Sequence, residues 1–230
     1  MGVKTFDPSG WNLGSAVAAK GDTKVSVCLP CRNEAATIGD LVRMIDHALV
    51  GTLVDELIVL DDGSTDGTGE IAAEAGATVV PVDYVHFFHG SARGKGNALW
   101  SSLIASTGDI VVWCDGDITS FTPDWIVRLV MPLLIDDELG LVKASYERPS
   151  HLGGGGRTTE LVARPLLSLF FPEIAELQQP LAGEYAGRRT MLEEIPFATG
   201  WGVEIGLLID MFERFGAESL GAEAFEHVDE

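Results

Sequence analysis

Composition places this chain among globular proteins with a strongly acidic character. It has 230 residues, of which 46% are hydrophobic and 22% charged, enough for one sizeable core. Its formal net charge of -20, from 15 Lys and Arg against 35 Asp and Glu, argues against a nucleic-acid or anionic-membrane partner. No apolar run reaches the roughly 18 residues of a membrane span, and residues 1–5 lack the basic-then-apolar order of a signal peptide. We therefore expect a soluble, cytoplasmic protein without stable membrane association.

The three cysteines do not predict a disulfide framework, because their number is odd. Cys28 and Cys31 have C-x-x-C spacing, but no second pair and no His cluster accompanies them. We expect small buried thiols rather than a redox or zinc site.

The first half of the chain alternates short apolar strands with helices. Strands are predicted over residues 24–30, 57–60 and 78–81, and in the apolar run that begins at Ile110. Helices are predicted over residues 35–50, from a cap at Ser64 or Thr65 to Ala75, and from Gly94 to Ile104. This alternation is the βαβ signature of a parallel, doubly wound sheet. Residues 1–22 lack clear periodicity and are expected to wrap the surface as an arm.

The pattern changes in the second half of the chain. A helix over 124–134 and a strand over 140–146 precede a glycine-rich loop at 153–157, a helix over 160–170, an extended piece at 180–185 and a helix that follows 200–204 and ends near 215. We interpret residues 1–135 as a nucleotide-binding half and residues 136–230 as an acceptor-side half of a single domain.

Two carboxylates, Asp115 and Asp117, follow the apolar run that begins at Ile110. The carboxyl end of a strand in an open α/β sheet opens into the crevice where ligands bind. Two acidic side chains there repel each other, and a hydrated divalent cation carrying a diphosphate is the usual solution. For this motif alone, an Asp-Gly turn with a helix cap is the competing interpretation.

Two nucleotide-binding motifs are missing from the chain. The dinucleotide fingerprint G-x-G-x-x-G is absent after the first strand, where residues 31–34 read CRNE, so a Rossmann-type NAD enzyme is disfavoured. Residues 90–96 do not form a P-loop, because their spacing is too short and Gly96 replaces the Ser or Thr needed for magnesium. Lys95 can still meet a phosphate at a helix N-terminus. A solvated surface lysine is its competing interpretation.

Four short motifs lie at the same predicted edge of the sheet or at a helix start that faces it. They are residues 30–34, residues 61–66 (DDGSTD), residues 93–96 (RGKG) and residues 115–117 (DGD). Together they can converge on one ligand. Their order resembles the GT-A glycosyltransferase pattern, in which the first strand ends in a Pro and an Asn-Glu pair and the second in Asp-Gly-Ser-Thr-Asp.

A narrower resemblance extends over the second half. Residues 93–100, 155–167, 179–186 and 200–210 are similar to the family of glucosyl-3-phosphoglycerate and mannosyl-3-phosphoglycerate synthases, and the similarity runs from about Trp11 to Leu220. It implies a GT-A fold: α/β, with a Rossmann-like, mostly parallel, doubly wound sheet and an acceptor-side α+β extension. The implied activity is retaining transfer of a hexose from a nucleotide diphosphate sugar to the 2-hydroxyl of 3-phosphoglycerate, with Mg²⁺ or Mn²⁺. A homodimer is the family expectation.

The resemblance also implies roles for individual residues of the first half. It assigns Pro30, Glu34, Asp62, Lys95 and Gly116 to the nucleotide, and Asp115 and Asp117 to the metal, the diphosphate and the sugar. Asp117 is the better metal ligand, because it lies farther past the strand. Helix capping is the alternative role for Glu34 and for Asp66.

In the second half, the resemblance assigns catalytic roles to Glu204, which would hold sugar hydroxyls, and to Leu181, whose backbone would lie beside the reacting centre. Trp201 would contact the sugar, and it stands where glucose-specific relatives usually have Tyr, so the hexose stays open. UDP-glucose, GDP-glucose and GDP-mannose are all candidate donors.

The implied acceptor loop consists of Gly156, Arg157 and Thr159. A planar, permanently charged Arg beside glycines and a hydroxyl suits a phosphate or carboxylate, whereas a glycine hinge with a surface Arg is the alternative. A chain with a net charge of -20 needs such a local cationic patch to bind an anionic acceptor. Arg188 and Arg189 are weaker candidates for the same patch, and Arg164 is expected to pair with a carboxylate.

One departure from the family pattern concerns the metal. The family has a His, followed by Arg and Asn, downstream of the position of Glu204, and this His completes the metal coordination. The motif is not present before Glu230, so His227 is the candidate substitute, and simple exposure of this His is the alternative. This departure also keeps a noncatalytic nucleotide-sugar-binding protein open, beside a GT-A enzyme with another acceptor such as a lipid phosphate.

Overall fold

The computed structural model describes residues 2–90, 94–146 and 156–225. Its strands are β1 (Lys4–Thr5), β2 (Val25–Cys31), β3 (Glu56–Asp61), β4 (Thr78–Pro81), β5 (Ile110–Trp113), β6 (Leu141–Ser145), β7 (Tyr185–Arg188) and β8 (Leu220–Ala224). Its α-helices are α1 (Leu13–Lys20), α2 (Ile38–Leu49), α3 (Thr68–Ala75), α4 (Val82–His86), α5 (Lys95–Ala105), α6 (Asp124–Ile135), α7 (Arg164–Phe170), α8 (Arg189–Leu192) and α9 (Val203–Phe215). None of the helices in this described part is long and apolar enough to cross a bilayer.

The strands form one eight-stranded sheet in the order β1-β8-β6-β7-β5-β2-β3-β4. Strand β7 runs antiparallel to β5 and β6, and the other neighbours pair in parallel. The chain runs outward from β2 through β3 to β4 on one side, and β5 returns to the other side of β2. The boundary between β2 and β5 is therefore a topological switch point, where open α/β sheets bind ligands.

Both faces of the sheet are buried, as the apolar strands predict. Along β2, Val25, Val27 and Leu29 pack with helices α1, α2, α3 and α6, whereas Cys28 faces the layer that contains α5 and α9. Cys28 and Cys31 belong to opposite cores, and both are buried and unbridged, as is Cys114. The expectation of buried thiols is confirmed.

Helix α2 shows how a predicted element is attached to the ligand-binding edge. The apolar stripe of this helix is buried at Ile38, Leu41 and Ile45. The helix begins at Ile38, later than predicted. Its N-cap residue, Thr37, makes no side-chain cap, because its Oγ1 donates a hydrogen bond to the carbonyl oxygen of Gly116 at 2.6 Å. The start of α2 is thereby tied to the turn that carries the two aspartates.

The predicted start of the helix after the second strand is wrong. Ser64 and Thr65 do not cap α3, which begins at Thr68 after Gly67 in a left-handed conformation with φ of 91°. The hydroxyl of Ser64 instead accepts a hydrogen bond from the amide of Asn33, and the amide of Thr65 donates to Oδ1 of Asn33. These residues join the loops after β2 and β3.

The N-terminal segment is also more ordered than the predicted arm. Strand β1 pairs in parallel with β8 at the edge of the sheet, and α1 packs against α6 with Ala16 fully buried. The two-residue strand is too short to show a periodicity, and its partner lies more than 200 residues away in the sequence.

Five further elements differ from the sequence prediction. Helix α4 and the short α8 were not predicted, and the predicted helix over 160–170 begins with a π-helical turn at Thr159–Ala163 before α7. Residues 180–183 form a turn rather than an extended piece, and β7 begins at Tyr185. Strand β8 was missed, and the glycines of residues 153–155 lie outside the described residues.

Candidate active site

A cavity of about 410 Å³ opens where β2, β3 and β5 end and α5 begins. The sequence-predicted residues that line it are Pro30, Glu34, Asp62, Lys95, Asp115, Gly116, Asp117 and Trp201. Cys31, Arg32, Gly94 and Ala98 complete the lining. Residues from all four strand-edge motifs, including Gly94 and Lys95 of the third, therefore meet at one cavity, as their order predicts. Arg93 lies outside the described residues.

Lys95 is the positive centre of this cavity. Its Nζ lies 2.6 Å from Oδ1 of Asp115 and 2.8 Å from Oε1 of Glu204. Burial lowers the pKa of Lys95, but the charges of Asp115 and Glu204 outweigh this effect and hold that pKa well above its ordinary value. Lys95 is therefore a permanent cation at the N-terminus of α5, the place where a phosphate gains most from exposed amides and from the helix dipole.

The opposite wall of the cavity is acidic. Burial raises the pKa of Glu34, and the negative charges of Asp117, Asp115 and Asp66 raise it further. Carboxylates that repel one another in this way gain from a divalent cation, and carboxylate oxygens are the ligands that Mg²⁺ and Mn²⁺ prefer. The donor set therefore fits such an ion.

The structure supplies only part of a metal coordination shell. Within residues 2–90, 94–146 and 156–225, no three His, Cys, Asp or Glu side chains are grouped closely enough to hold a metal ion by themselves. Mg²⁺ is commonly bound by one or two carboxylates together with substrate phosphates, and Asp115 and Asp117 match that pattern. His227, the candidate third ligand, lies outside the described residues.

Two glycines allow the aspartate turn to fit between its neighbours. A Cβ atom added at Gly116 would lie 2.6 Å from Sγ of Cys31 and 3.3 Å from Cγ of Glu34. A Cβ added at Gly183 would overlap both carboxylate oxygens of Asp115. The carboxylate of Asp115 is therefore enclosed by Lys95 on one side and by the backbone of Gly183 on the other. Gly183 belongs to none of the sequence motifs that predict the cavity.

The DDGSTD motif combines scaffolding with ligand binding. Oδ1 of Asp61 accepts a hydrogen bond from the amide of Ser64, and Asp66 accepts from the amides of Ala35 and Thr68. Asp62 is the member of the motif that lines the cavity. Its Oδ2 accepts from the amide of Gly94 at 3.2 Å and lies 3.5 Å from Nη1 of Arg32. Asp66 therefore joins the start of α3, whose N-cap residue is Gly67, to the loop after β2.

Unlike the residues assigned to the nucleotide, those assigned to the acceptor do not line the described part of the cavity. Gly156 has a positive φ of 89°, Arg157 is exposed and Thr159 is buried. Leu181 is half-buried, and none of these four residues is among those that line the described part of the cavity.

The remaining arginines have structural contacts. Arg188 donates to the carbonyls of Leu133, Asp136 and Leu139, and Arg189 donates to those of Leu103 and Gly108 and to the hydroxyl of Ser106. These contacts argue against both as acceptor ligands. Arg164 pairs with Glu160 at 2.9 Å, which confirms the expected pairing with a carboxylate.

A buried polar cluster beneath the cavity was missed by the sequence analysis. Lys143 and Glu184 are each 1% exposed, and the hydroxyl of Tyr146 donates to Oε2 of Glu184 at 3.1 Å. Burial raises the pKa of Glu184 to about 7, with a further contribution from Asp115. The available signal was a charged residue inside an apolar strand, since Lys and Glu are rarely buried without a partner.

A mostly parallel α/β sheet with an acidic pair and a lysine at its switch point is typical of GT-A glycosyltransferases. Residues 26–200 match the family model described as "Glycosyl transferase family 2". The glucosyl-3-phosphoglycerate synthase of Mycolicibacterium paratuberculosis is 47% identical over 226 residues, which cover 94% of this chain and 68% of that protein. The chain belongs to glycosyl transferase family 2 and, within it, to the glucosyl-3-phosphoglycerate synthase family.

Solved structures show the same fold. The glucosyl-3-phosphoglycerate synthase of Mycobacterium tuberculosis in complex with Mn²⁺, UDP-glucose and phosphoglyceric acid superposes with a TM-score of 0.92 at 46% identity, covering 99% of this chain and 79% of that one. The same enzyme with Mg²⁺ and UDP gives a TM-score of 0.91 at 46% identity, over 99% of this chain and 78% of that one. The GT-A fold predicted from the sequence is therefore confirmed.

Proposed function

We propose that this chain transfers glucose from UDP-glucose to the 2-hydroxyl of 3-phosphoglycerate in a metal-dependent, retaining reaction. The observation that carries this proposal is the convergence of Asp115, Asp117 and Lys95 at the switch-point cavity, with Glu204 bound to Lys95. The M. tuberculosis relatives that bind UDP-glucose, phosphoglyceric acid and Mn²⁺ support the choice of substrates and of the ion. A cytoplasmic location and a homodimer remain predictions.

Asp117 and Asp115 would hold the Mg²⁺ or Mn²⁺ ion. When bound, the ion neutralises charge on the diphosphate and so assists departure of the nucleoside diphosphate. Lys95 adds a fixed positive charge beside the leaving phosphate, because its two carboxylate partners keep it protonated. Glu204, buried at the start of α9, orients Lys95 and can accept hydrogen bonds from sugar hydroxyls.

The placement of the carboxylates favours one route for the proposed retaining transfer. Asp115 and Glu204 are both bound to Lys95, so neither is free to attack the sugar as a nucleophile. We infer a front-face reaction in which the acceptor hydroxyl approaches the side that the diphosphate leaves, and a departing phosphate oxygen takes up its proton. NMR of the product should show the same anomer as in the donor, and the opposite anomer would rule this route out.

The donor and the metal are tested together in one matrix. UDP-glucose, GDP-glucose and GDP-mannose are each supplied with 3-phosphoglycerate, with Mg²⁺ or with EDTA, to the unaltered protein and to Asp117→Ala. Of these combinations, we expect turnover only with UDP-glucose as the donor and Mg²⁺ present. We expect this turnover to be lost in Asp117→Ala. Asp22→Ala, at an exposed aspartate away from the cavity, is the control. Turnover by Asp117→Ala at saturating Mg²⁺ would refute the role of Asp117, and calorimetric donor binding without any turnover would identify a binding protein instead.

Arg157 is proposed to hold the phosphate or carboxylate of the acceptor. Replacing it by Ala should raise the KM for 3-phosphoglycerate by roughly 10- to 100-fold, since a charge-assisted hydrogen bond contributes about 1.5 to 3 kcal/mol. The KM for UDP-glucose should change much less. Arg43→Ala, at an exposed arginine of α2, is the matched control. Equal effects on both substrates would contradict the acceptor role.

A further inference from the structure

Lys143 is a buried cation that the proposed mechanism does not use. It lies on β6 opposite Tyr185 of β7, it is 1% exposed, and its Nζ is 4.3 Å from the centroid of the Tyr185 ring. The ammonium group donates a hydrogen bond to the carbonyl oxygen of Ala182 at 2.5 Å. A buried ammonium is costly unless it is paired and hydrogen-bonded, so its contacts show what it holds in place.

Ala182 is the middle residue of the turn at residues 181–183, which adjoins Asp115. Gly183, the next residue, lies against the carboxylate of Asp115 so closely that a Cβ atom would not fit. Leu181, the preceding residue, belongs to the same turn and is half-buried. A shift at Ala182 would therefore move both neighbours and open space on the side of Asp115 that faces away from Lys95.

We propose that Lys143 is a positioning residue for the transfer reaction: it fixes the turn at residues 181–183 and, through this turn, the carboxylate of Asp115. The proposal rests on the proposed glucosyl transfer. Lys143 would act on the substrate only through these residues, because it is not among those that line the described part of the cavity.

The charges around Lys143 make its contribution dependent on pH. Burial lowers its pKa to about 8. The carboxylates of Glu204, Glu184 and Asp115 oppose this effect, and the ammonium of Lys95 adds to it. Tyr185 lies opposite Lys143 on β7, and Tyr146, which follows β6, donates its hydroxyl hydrogen bond to Glu184. Once Lys143 loses its proton, the hydrogen bond to Ala182 loses its charge assistance and becomes weaker.

The test compares Lys143→Met and Lys143→Arg with the unaltered protein. In Lys143→Met we expect kcat to fall by about 10²-fold, the loss associated with misplacement of reacting groups by about 1 Å. The KM for UDP-glucose should change by no more than about threefold, since ground-state binding is largely kept. Lys20→Met is the matched control, because Lys20 also contacts a backbone carbonyl and a carboxylate, those of Thr52 and Asp55, far from the cavity.

Two further readouts separate positioning from general stability. In the unaltered protein kcat should decline above about pH 8, where Lys143 loses its proton. This decline should be absent in Lys143→Met and in Lys143→Arg, whose guanidinium stays charged. Hydrogen exchange of the amides of residues 181–185 should accelerate in Lys143→Met and not in Lys20→Met.

An unchanged kcat in Lys143→Met, a decline above pH 8 that persists in both variants, or unchanged exchange at residues 181–185 would each overturn the proposal. If Lys143→Met does not fold, Lys143→Arg alone decides through its pH profile. If the unaltered protein makes no glucosylated product, the proposed function fails, and the exchange measurement still shows whether Lys143 fixes the turn.

Discussion

Asp115 is held on two sides by groups that are already in place. Lys95 contacts one of its oxygens, and the backbone of Gly183 closes on the carboxylate from the other direction. A carboxylate fixed in this way does not have to reorganise when a substrate arrives, and such preorganisation is a main source of electrostatic catalysis. The cavity therefore depends on a residue without a side chain as much as on its charged groups.

Substitution of Gly183 tests this dependence. In Gly183→Ala the new Cβ would overlap the carboxylate of Asp115, so either this carboxylate or the 181–183 turn must move. We expect kcat to fall by about 10²-fold, as for other misplacements of about 1 Å, in steady-state assays with UDP-glucose and 3-phosphoglycerate. Gly202→Ala is the control, because a Cβ there has no neighbour within 4 Å. Wild-type kcat in Gly183→Ala would show that Asp115 tolerates displacement.

At the residue scale, the sequence predicted the residues that line the cavity. It did not predict Gly183 and Lys143, which contact those residues or the turn beside them. Asp62, Lys95 and Asp117 stand in local motifs whose spacing relates them to strand ends, and strand ends of a parallel sheet meet at one edge. Gly183 and Lys143 have no such motif. Their importance comes from contacts with residues 68 and 39 positions away, and such contacts become visible only when the chain is folded.

At the scale of elements, periodicity predicted the long members of the fold. Helices α2, α5, α6 and α9 and the central strands were found because each repeats its apolar pattern over enough residues. Strands β1 and β8 were not predicted, since strands of two to five residues carry little periodic pattern and both pair with segments that are distant in the sequence. The loop after β3 was misassigned as a helix cap because its hydroxyl and amide groups bond to Asn33 instead.

Strand β8, which lies between the edge strand β1 and β6, carries a buried carboxylate, Glu223, which is 0% exposed. Neither of its oxygens has a hydrogen-bond partner among the residues that the structure describes. Burial raises its pKa to about 7, Arg128 opposes the rise, and Asp124 and Asp7 add to it. The folded chain therefore keeps the Glu223 proton in a pH range where the unfolded chain, with a pKa of 4.5, has released it.

The sign of the pH effect follows from this difference. Because the folded pKa lies above the unfolded one, the stabilising contribution is complete below pH 4.5 and is lost as the pH rises through about 7. At about 1.4 kcal/mol for each pKa unit, the loss is at most about 3.5 kcal/mol. We expect Glu223→Gln to gain about this much free energy of unfolding relative to the unaltered chain between pH 5 and pH 8, in urea titrations. A difference that does not vary with pH would contradict this account of Glu223.

At the scale of the whole molecule, the cavity has the same excess of negative charge as the chain. Among the described residues that line the cavity, the four carboxylates of Glu34, Asp62, Asp115 and Asp117 outnumber the two cations, Arg32 and Lys95, and the chain as a whole carries a net charge of -20. In the proposed reaction, a divalent cation would reduce this imbalance where the diphosphate binds. Over the rest of the chain carboxylates also outnumber cations, and self-repulsion of this kind weakens a compact state.

Salt should therefore stabilise this protein. Raising NaCl from about 0.05 to 0.5 M shortens the Debye length from about 14 to 4 Å and so screens the mutual repulsion of surface carboxylates. The exposed ion pairs that the same salt weakens, such as Arg43 with Asp40, contribute little. We expect Tm to rise by several degrees at pH 7.5, on the order of 1 kcal/mol of stability. The comparison is the same titration near pH 5, close to the sequence pI of about 4.4. The net charge is smaller there, so the carboxylates repel one another less and the rise in Tm should be smaller. An equal rise in Tm at both pH values would assign the effect to salt-enhanced burial of apolar surface instead.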